Sequence, residues 1–210
     1  MAIPVLTLHH VQKAYQERVI LDITQLELEY GVYWLLGPNG AGKTTSMKVI
    51  AGLIPFRGEI KVDNNISSRQ LPVQYRRLVN YAEAEPLYPG FLTGSDLISL
   101  YIKTKGEGYR HMESMMKFMG IDSYVHQPVS SYSSGMLKKL SLLLAFTGKP
   151  RVILLDEPLI TLDTQSVPLL YTLVEEFHQQ YGVTFCITSH QAVTAGSIQL
   201  EVLGTNIVKR

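Results

Sequence analysis

The nine residues Gly37-Pro38-Asn39-Gly40-Ala41-Gly42-Lys43-Thr44-Thr45 constrain this chain more than any other stretch. They fit the spacing G-x-x-x-x-G-K-[ST]. The apolar run Val32-Tyr33-Trp34-Leu35-Leu36 comes before them and reads as a buried strand. Ser46 to Gly52 follows and reads as a helix stopped by its glycine. A glycine-rich turn joining a buried strand to a helix belongs in a parallel sheet with covered faces. Its chemistry follows from the residue types. Glycines let backbone N–H groups converge on an anion, and the helix behind them presents its positive end. Lys43 supplies a point charge for β- and γ-phosphates, and the Thr44 hydroxyl is a ligand for Mg²⁺. Gly37, Pro38, Asn39, Gly40, Ala41, Gly42, Lys43, Thr44 and Thr45 are therefore expected to hold a nucleoside triphosphate.

A second element points the same way. Val152-Ile153-Leu154-Leu155-Asp156-Glu157-Pro158 is an apolar strand that ends in two acids. Open α/β sheets bind ligands at the C-terminal ends of their strands. There Asp156 is expected to hold Mg²⁺ through water, and Glu157 to orient and deprotonate the water that attacks the γ-phosphorus. Phosphoryl transfer is mostly positioning and charge neutralisation, so this small set suffices.

Bulk properties bound the rest. A chain of 210 residues with 46% hydrophobic residues accommodates one α/β domain and a proper core. A net charge of +1 gives no sign of a general nucleic-acid or anionic-membrane binder. Cys186 is the single cysteine, so no internal disulfide framework exists. It lies in the strand-like run Val183 to Thr188 and is expected to be a buried, inert thiol. No stretch is long enough in apolar residues to span a bilayer, and the N-terminus lacks a charged-then-apolar leader pattern. The expectation is an intracellular chain, held at a membrane only through another protein.

Patterning divides the chain. Val5 to His9 and Leu26 to Tyr30 are strand-like, as are Gly58 to Val62 and Val79 to Ala82. The texture from Pro86 to Ser130 becomes helical, with Leu97 to Lys103 and Tyr109 to Met119 as candidate helices. Met112, Met115, Met116 and Met119 make a methionine-rich helical face, which is either core packing or an adaptable docking surface. Helices at Met136 to Thr147 and Val167 to Tyr181 then alternate with strands at Arg151 to Leu155 and Val183 to Thr188. That alternation argues for a parallel sheet.

With these residues in place, the chain resembles the ATP-binding domain of ABC transporters, from Tyr15 to His190. Ser131-Tyr132-Ser133-Ser134-Gly135-Met136 resembles the family's signature L-S-G-G-Q, with Ser133 and Gly135 in agreement and Tyr132, Ser134 and Met136 departing. His190, after Thr188-Ser189, matches the switch histidine, which implies a hydrogen bond to the γ-phosphate. Leu159-Ile160-Thr161-Leu162-Asp163 resembles T-x-G-L-D, with Leu162 and Asp163 in agreement and Asp163 implied at a subunit interface. Tyr15 resembles the aromatic on which adenine stacks. The family's Gln ahead of its helical part is missing from Tyr81-Ala82-Glu83-Ala84-Glu85-Pro86; Glu85 or Ala84 occupies its place, and Glu85 is preferred as a metal ligand.

The resemblance implies an α/β fold: a P-loop NTPase core with a mostly parallel sheet, an N-terminal antiparallel β part and a helical subdomain at 86–130 within one domain, 1–210. It implies an ATPase that uses ATP and Mg²⁺, with catalytic roles for Lys43, Glu157 and His190. The expected partners are a second ATP-binding subunit, homo- or heterodimeric, whose Ser133–Met136 segment closes on this chain's nucleotide, and a separate transmembrane permease; no nucleic acid is expected. The permease would dock near Tyr88, Phe91 and Leu92 and hold the chain at the cytoplasmic face of the cell membrane. A soluble ATP-driven clamp or assembly factor is the alternative. A P-loop kinase is disfavoured by the signature-like segment and His190.

Overall fold

The structure, a computed structural model, describes residues 4–189 and 197–210. The strands are β1 (Leu6–Tyr15), β2 (Arg18–Leu28), β3 (Val32–Leu36), β4 (Arg57–Val62), β5 (Ile66–Ser67), β6 (Val79–Ala82), β7 (Val152–Asp156), β8 (Thr184–Thr188), β9 (Ile198–Leu203) and β10 (Asn206–Lys209). The helices are α1 (Lys43–Ile50), α2 (Pro72–Leu78), α3 (Gly94–Lys105), α4 (Met112–Met119), α5 (Ser134–Ala145) and α6 (Ser166–Tyr181).

Two sheets form. A six-stranded sheet runs in the order β10-β9-β3-β8-β7-β6, parallel from β9 to β6, with β10 antiparallel at its edge. A four-stranded antiparallel sheet runs β2-β1-β4-β5. Side-chain alternation assigns the faces of the larger sheet. Val152, Leu154 and Cys186 pack with the antiparallel sheet, α1 and Tyr75 of α2. Ile153, Leu155, Phe185 and Ile187 pack with α3 to α6. The result is three layers with the parallel strands in the middle, which is why β7 and β8 are buried at every position. Cys186 is one of those residues, and burial pushes its thiol up to about 12.

The antiparallel hairpin is much longer than its two apolar ends suggest. Val5 to His9 and Leu26 to Tyr30 mark only one end of β1 and β2. The physical reason is a β-bulge. The register of β1 against β4 shifts between His9 and Gln12, and His10 sits at φ 49°. On β1 the buried apolar residues are Leu6 and Leu8 before the bulge and Val11 after it; on β2 they are Leu26 and Leu28, then Ile23 and Leu21. A one-residue slip exchanges the faces and breaks the alternation on which a strand is recognised. Gly58 lies opposite the bulge at φ 96°, where an added Cβ would stand 2.2 Å from the His10 carbonyl oxygen.

The helical stretch follows its caps. Thr93 and Asp96 form a capping box, so α3 begins earlier than its apolar run, at Gly94. Tyr109 to His111 precede α4 rather than belonging to it, and Tyr109 instead stacks on Tyr181 of α6 at 4.5 Å. Met115 and Met119 are buried, and Met112 and Met116 pack on the same cluster, so the methionine face belongs to the core. Helix α5 is tied to the sheet by Asn80 of β6, whose side-chain amide donates to the carbonyls of Ala145 (2.7 Å) and Thr147 (2.8 Å). None of the helices among the described residues is long and apolar enough to cross a membrane.

Gly58→Ala is expected to lower stability by on the order of 3 kcal/mol, because both its backbone angle and the His10 carbonyl oppose a side chain. Chemical denaturation checks this; an unchanged midpoint would show that the bulge tolerates a Cβ.

Candidate active site

The parallel strands deliver their C-terminal ends to one edge of the sheet. The turn after β3 carries Gly37 to Gly42 and opens α1 at Lys43. Gly42 is the helix N-cap at φ 96°, and a Cβ there would lie 2.9 Å from Ile20 Cγ2. Only glycine fits that junction without movement. Lys43 Nζ folds back to donate to the carbonyls of Gly37 (2.7 Å) and Pro38 (3.2 Å), poised over the turn. Thr44 is exposed and Thr45 half-buried at the start of the helix. A cleft of about 520 Å³ is lined by Asn39, Gly40, Gly42, Lys43, Thr44 and Thr45, by Arg18 and Ile20 of β2, and by Glu157 and Ile160. One cavity thus joins the glycine turn to the acid after β7.

Asp156 lies at the end of β7, 1% exposed. Its Oδ1 accepts from the Thr188 hydroxyl at 2.6 Å and its Oδ2 from the Tyr81 hydroxyl at 3.1 Å. The Thr188 Oγ1 in turn accepts from the Glu157 N–H at 2.8 Å. One hydroxyl therefore fixes the carboxylate of Asp156 and the backbone of Glu157 together. Burial, with the negative charges of Asp156 and Glu83, raises the Tyr81 phenol far above its ordinary value and keeps it a donor. Glu157 sits at φ 43°, a left-handed conformation that costs a residue with a side chain roughly 1–2 kcal/mol.

Lys138 of α5 is fully buried behind these strand ends. Its Nζ donates to the carbonyls of Glu83 (2.8 Å), Ala84 (3.1 Å) and Asp156 (3.0 Å). Burial pulls its pKa down to about 8, against the opposing pull of Asp156 and Glu157. Glu83 pairs with Lys48 of α1 at 3.6 Å, whereas Glu85 is exposed and does not line the cleft.

The signature-like segment starts α5. Ser133 is its N-cap, accepting from the Met136 N–H at 3.2 Å, and Ser133 and Ser134 are exposed. A Cβ on Gly135 would lie 3.0 Å from the Thr161 carbonyl oxygen, so this glycine permits the close packing of α5 on the loop after β7. Asp163 of that loop pairs with Lys139 at 2.8 Å and accepts from the Ser166 N–H and hydroxyl. The Lys139 ammonium foremost, then Ser166, holds the Asp163 carboxyl down to about 2. Thr161, where the resembled motif has glycine, keeps a glycine-like φ of 65°.

Of the residues singled out in the sequence, the cleft brings Lys43, Thr44, Thr45 and the glycine turn together with Glu157, and Asp156 stands behind them. Ser133 and Gly135 do not line it. Nor does Tyr15, half-exposed at the end of β1 with Lys13 Nζ 4.6 Å from its ring centre. His190 lies outside the described residues; just before it, the Ser189 carbonyl accepts from Trp34 Nε1 at 2.9 Å. Sequence reading missed Arg18, Ile20, Tyr81, Thr188 and Lys138. Tyr81 and Thr188 each place a hydroxyl within a short strand, the one signal that marks them; Lys138 carries none.

Among the described residues no three His, Cys, Asp or Glu side chains gather as a metal cage. The donors present are hard oxygens, the Thr44 hydroxyl and the Asp156 carboxylate. That set suits Mg²⁺, which keeps waters and substrate phosphates as its remaining ligands.

A protein-family model for the ABC transporter family matches residues 21–160. The lantibiotic transport ATP-binding protein SrtF of Streptococcus pyogenes is 30% identical over 187 residues, 88% of this chain and 80% of that protein. Among solved structures, an ATP-binding subunit of an ABC transporter superposes with a TM-score of 0.86 at 22% identity, over 98% of this chain and 89% of the other. A dimeric ATP-binding cassette in a post-hydrolysis state, bound to ADP and Pi, gives a TM-score of 0.82 at 19% identity, over 98% and 97%.

Two outcomes follow from the loop after β7. Thr161→Gly is expected to raise stability by about 1 kcal/mol, since the exposed side chain contributes little and the backbone angle is relieved. A lower denaturation midpoint would contradict this. Asp163 has a depressed carboxyl, so its stabilising contribution is present above its ordinary 3.8 and disappears as pH falls toward 2. The wild type is expected to exceed Asp163→Asn by less than about 1 kcal/mol at neutral pH, the pair being half-exposed, and to lose that margin in acid titration. A margin that persists at the acid end would exclude the ion pair as its source.

Proposed function

The chain belongs to the ABC transporter family, and from that premise we propose that it is the ATP-binding and ATP-hydrolysing subunit of a membrane transporter. The observation that carries the reading is the shared cleft, in which the glycine turn with Lys43 and Thr44 faces Glu157. In it Lys43 leaves the turn's carbonyls for the β- and γ-phosphates, and the N–H groups of Gly40 to Thr45 surround them. Thr44 and Asp156 would hold Mg²⁺, which would supply charge neutralisation at the phosphates; Glu85, exposed and outside the cleft, is not assigned as a ligand. Glu157 positions the attacking water and takes its proton. His190 contacts the γ-phosphate, and adenine stacks on Tyr15 beyond Arg18.

We read the chain as one domain with a helical subdomain at 86–130. Ser133 and Gly135 sit at the exposed start of a twelve-residue helix and do not line the chain's own cleft. That placement supports a role on a second subunit's nucleotide, as does the fold's likeness to a dimeric cassette bound to ADP and Pi. ATP contacted from both sides favours the closed pair; hydrolysis removes the differential contact and the pair opens. Leu87 and Phe91, 90% and 81% exposed at the edge of the helical part, offer apolar surface to a membrane permease, which would hold the chain at the cytoplasmic face. Tyr88 and Leu92 instead pack against the core.

The test is Glu157→Gln. It keeps the shape of the site and removes the base, so ATP affinity is expected within about threefold of wild type, the closed dimer to persist with ATP, and turnover to fall at least 100-fold. Nucleotide-binding titration, size-exclusion chromatography and a phosphate-release assay read the three. Turnover at the wild-type rate would remove Glu157 from the mechanism.

A further inference from the structure

Lys138 is the one fully buried charged cation among the described residues, and the mechanism above does not use it. Taking an ammonium out of water is costly unless every donor is satisfied. Here three carbonyls satisfy it, and all three lie where the site is built. Glu83 and Ala84 follow β6, in the stretch where the resembled family has its glutamine; Asp156 ends β7. The carbonyls come from two neighbouring strand ends and the ammonium from α5, so none of these contacts is local in sequence. The helix that supplies it begins at Ser133 and Gly135, and its next residue, Lys139, holds Asp163. A methionine of similar length would fill the same space without the desolvation cost, so packing alone does not account for a lysine.

We propose that Lys138 is a positioning residue for hydrolysis, locking the start of α5, which serves the partner's nucleotide, to the strand ends that hold metal and water in the chain's own site. The proposal rests on the ATPase reading above. Through this lock a shift of Ser133 and Gly135 on the partner's phosphates is carried to the backbone of Asp156 and to the segment after β6. It acts on the geometry of the chemical step, not on the cleft where the triphosphate first binds, because Lys138 does not line that cleft.

The experiment compares the full chain with Lys138→Met and Lys138→Gln, reading nucleotide affinity with ATP itself, kcat, KM and the thermal midpoint. Lys138→Met is expected to bind ATP within about threefold of wild type with KM similarly unchanged, while kcat falls roughly tenfold or more. Lys138→Gln, whose amide keeps two N–H donors, is expected to fall between the two. A folded Lys138→Met with wild-type kcat overturns the proposal, as does a loss that appears only in affinity and KM. If Lys138→Met does not fold, Lys138→Gln decides, and wild-type kcat in it overturns the proposal; failure of both to fold assigns the residue to stability alone and overturns it too. A wild-type chain that turns over no ATP fails the ATPase reading itself, whereas turnover matched by both variants fails the Lys138 proposal alone.

Discussion

A carboxylate at the end of a strand buried on both faces has to be satisfied by its neighbours, and the rest of this site is arranged around that requirement. Asp156 has no water-facing side to rely on. Its two oxygens are met by hydroxyls from the two strands that flank β7: Thr188 at the end of β8 and Tyr81 in β6. The strand order β8-β7-β6 is therefore part of the chemistry. Placed at an edge, the same aspartate would be solvated and free to rotate. The arrangement leaves the carboxylate with acceptor capacity to spare, since each oxygen has a second lone pair. Thr188 adds a further constraint by accepting from the Glu157 N–H, so the Asp156 carboxylate and the Glu157 backbone are fixed to one hydroxyl.

Helix α5 extends this arrangement to the signature-like segment at its own start. Its first half is pinned to two strand ends through Lys138, its C-terminal carbonyls are held by Asn80 of β6, and Lys139 binds the loop after β7 through Asp163. Three kinds of contact thus fasten one helix to the sheet and the loop after β7. A helix that only packed by apolar contact could slide by small amounts against the sheet. One held by directional bonds to backbone carbonyls transmits displacement instead.

Much of this was legible in the sequence, and what was not has identifiable causes. The glycine turn, β3, β6, β7 and β8 carry their meaning locally, in apolar runs that end in glycine or acids. The long hairpin did not, because the bulge at His10 exchanges the inward face halfway along both strands and erases the period-2 signal. Helix α3 was read short because its start is set by Thr93 and Asp96 rather than by apolar spacing. At the site, Glu157 and the phosphate turn announce themselves through a motif, but Thr188 and Tyr81 act only through neighbours brought in by sheet order. Lys138 looks like any basic residue beside Lys139. Nothing in its local pattern says that one lysine is buried and the next forms an ion pair at the surface.

The departures from the resembled motifs become intelligible once backbone angles are known. The loop from β7 to α6 holds two side-chain-bearing residues in left-handed conformations, Glu157 at φ 43° and Thr161 at φ 65°. A threonine at a backbone angle where glycine is the relaxed choice adds strain to the loop. The path is held because both ends are over-determined, by Thr188 on the Glu157 N–H at one end and by Lys139 and Ser166 on Asp163 at the other. Between them the Thr161 carbonyl fills the space that Gly135 leaves open. Strain in this loop is thus borne where the signature-like segment packs on it, between Glu157 and the Asp163 contact to α5.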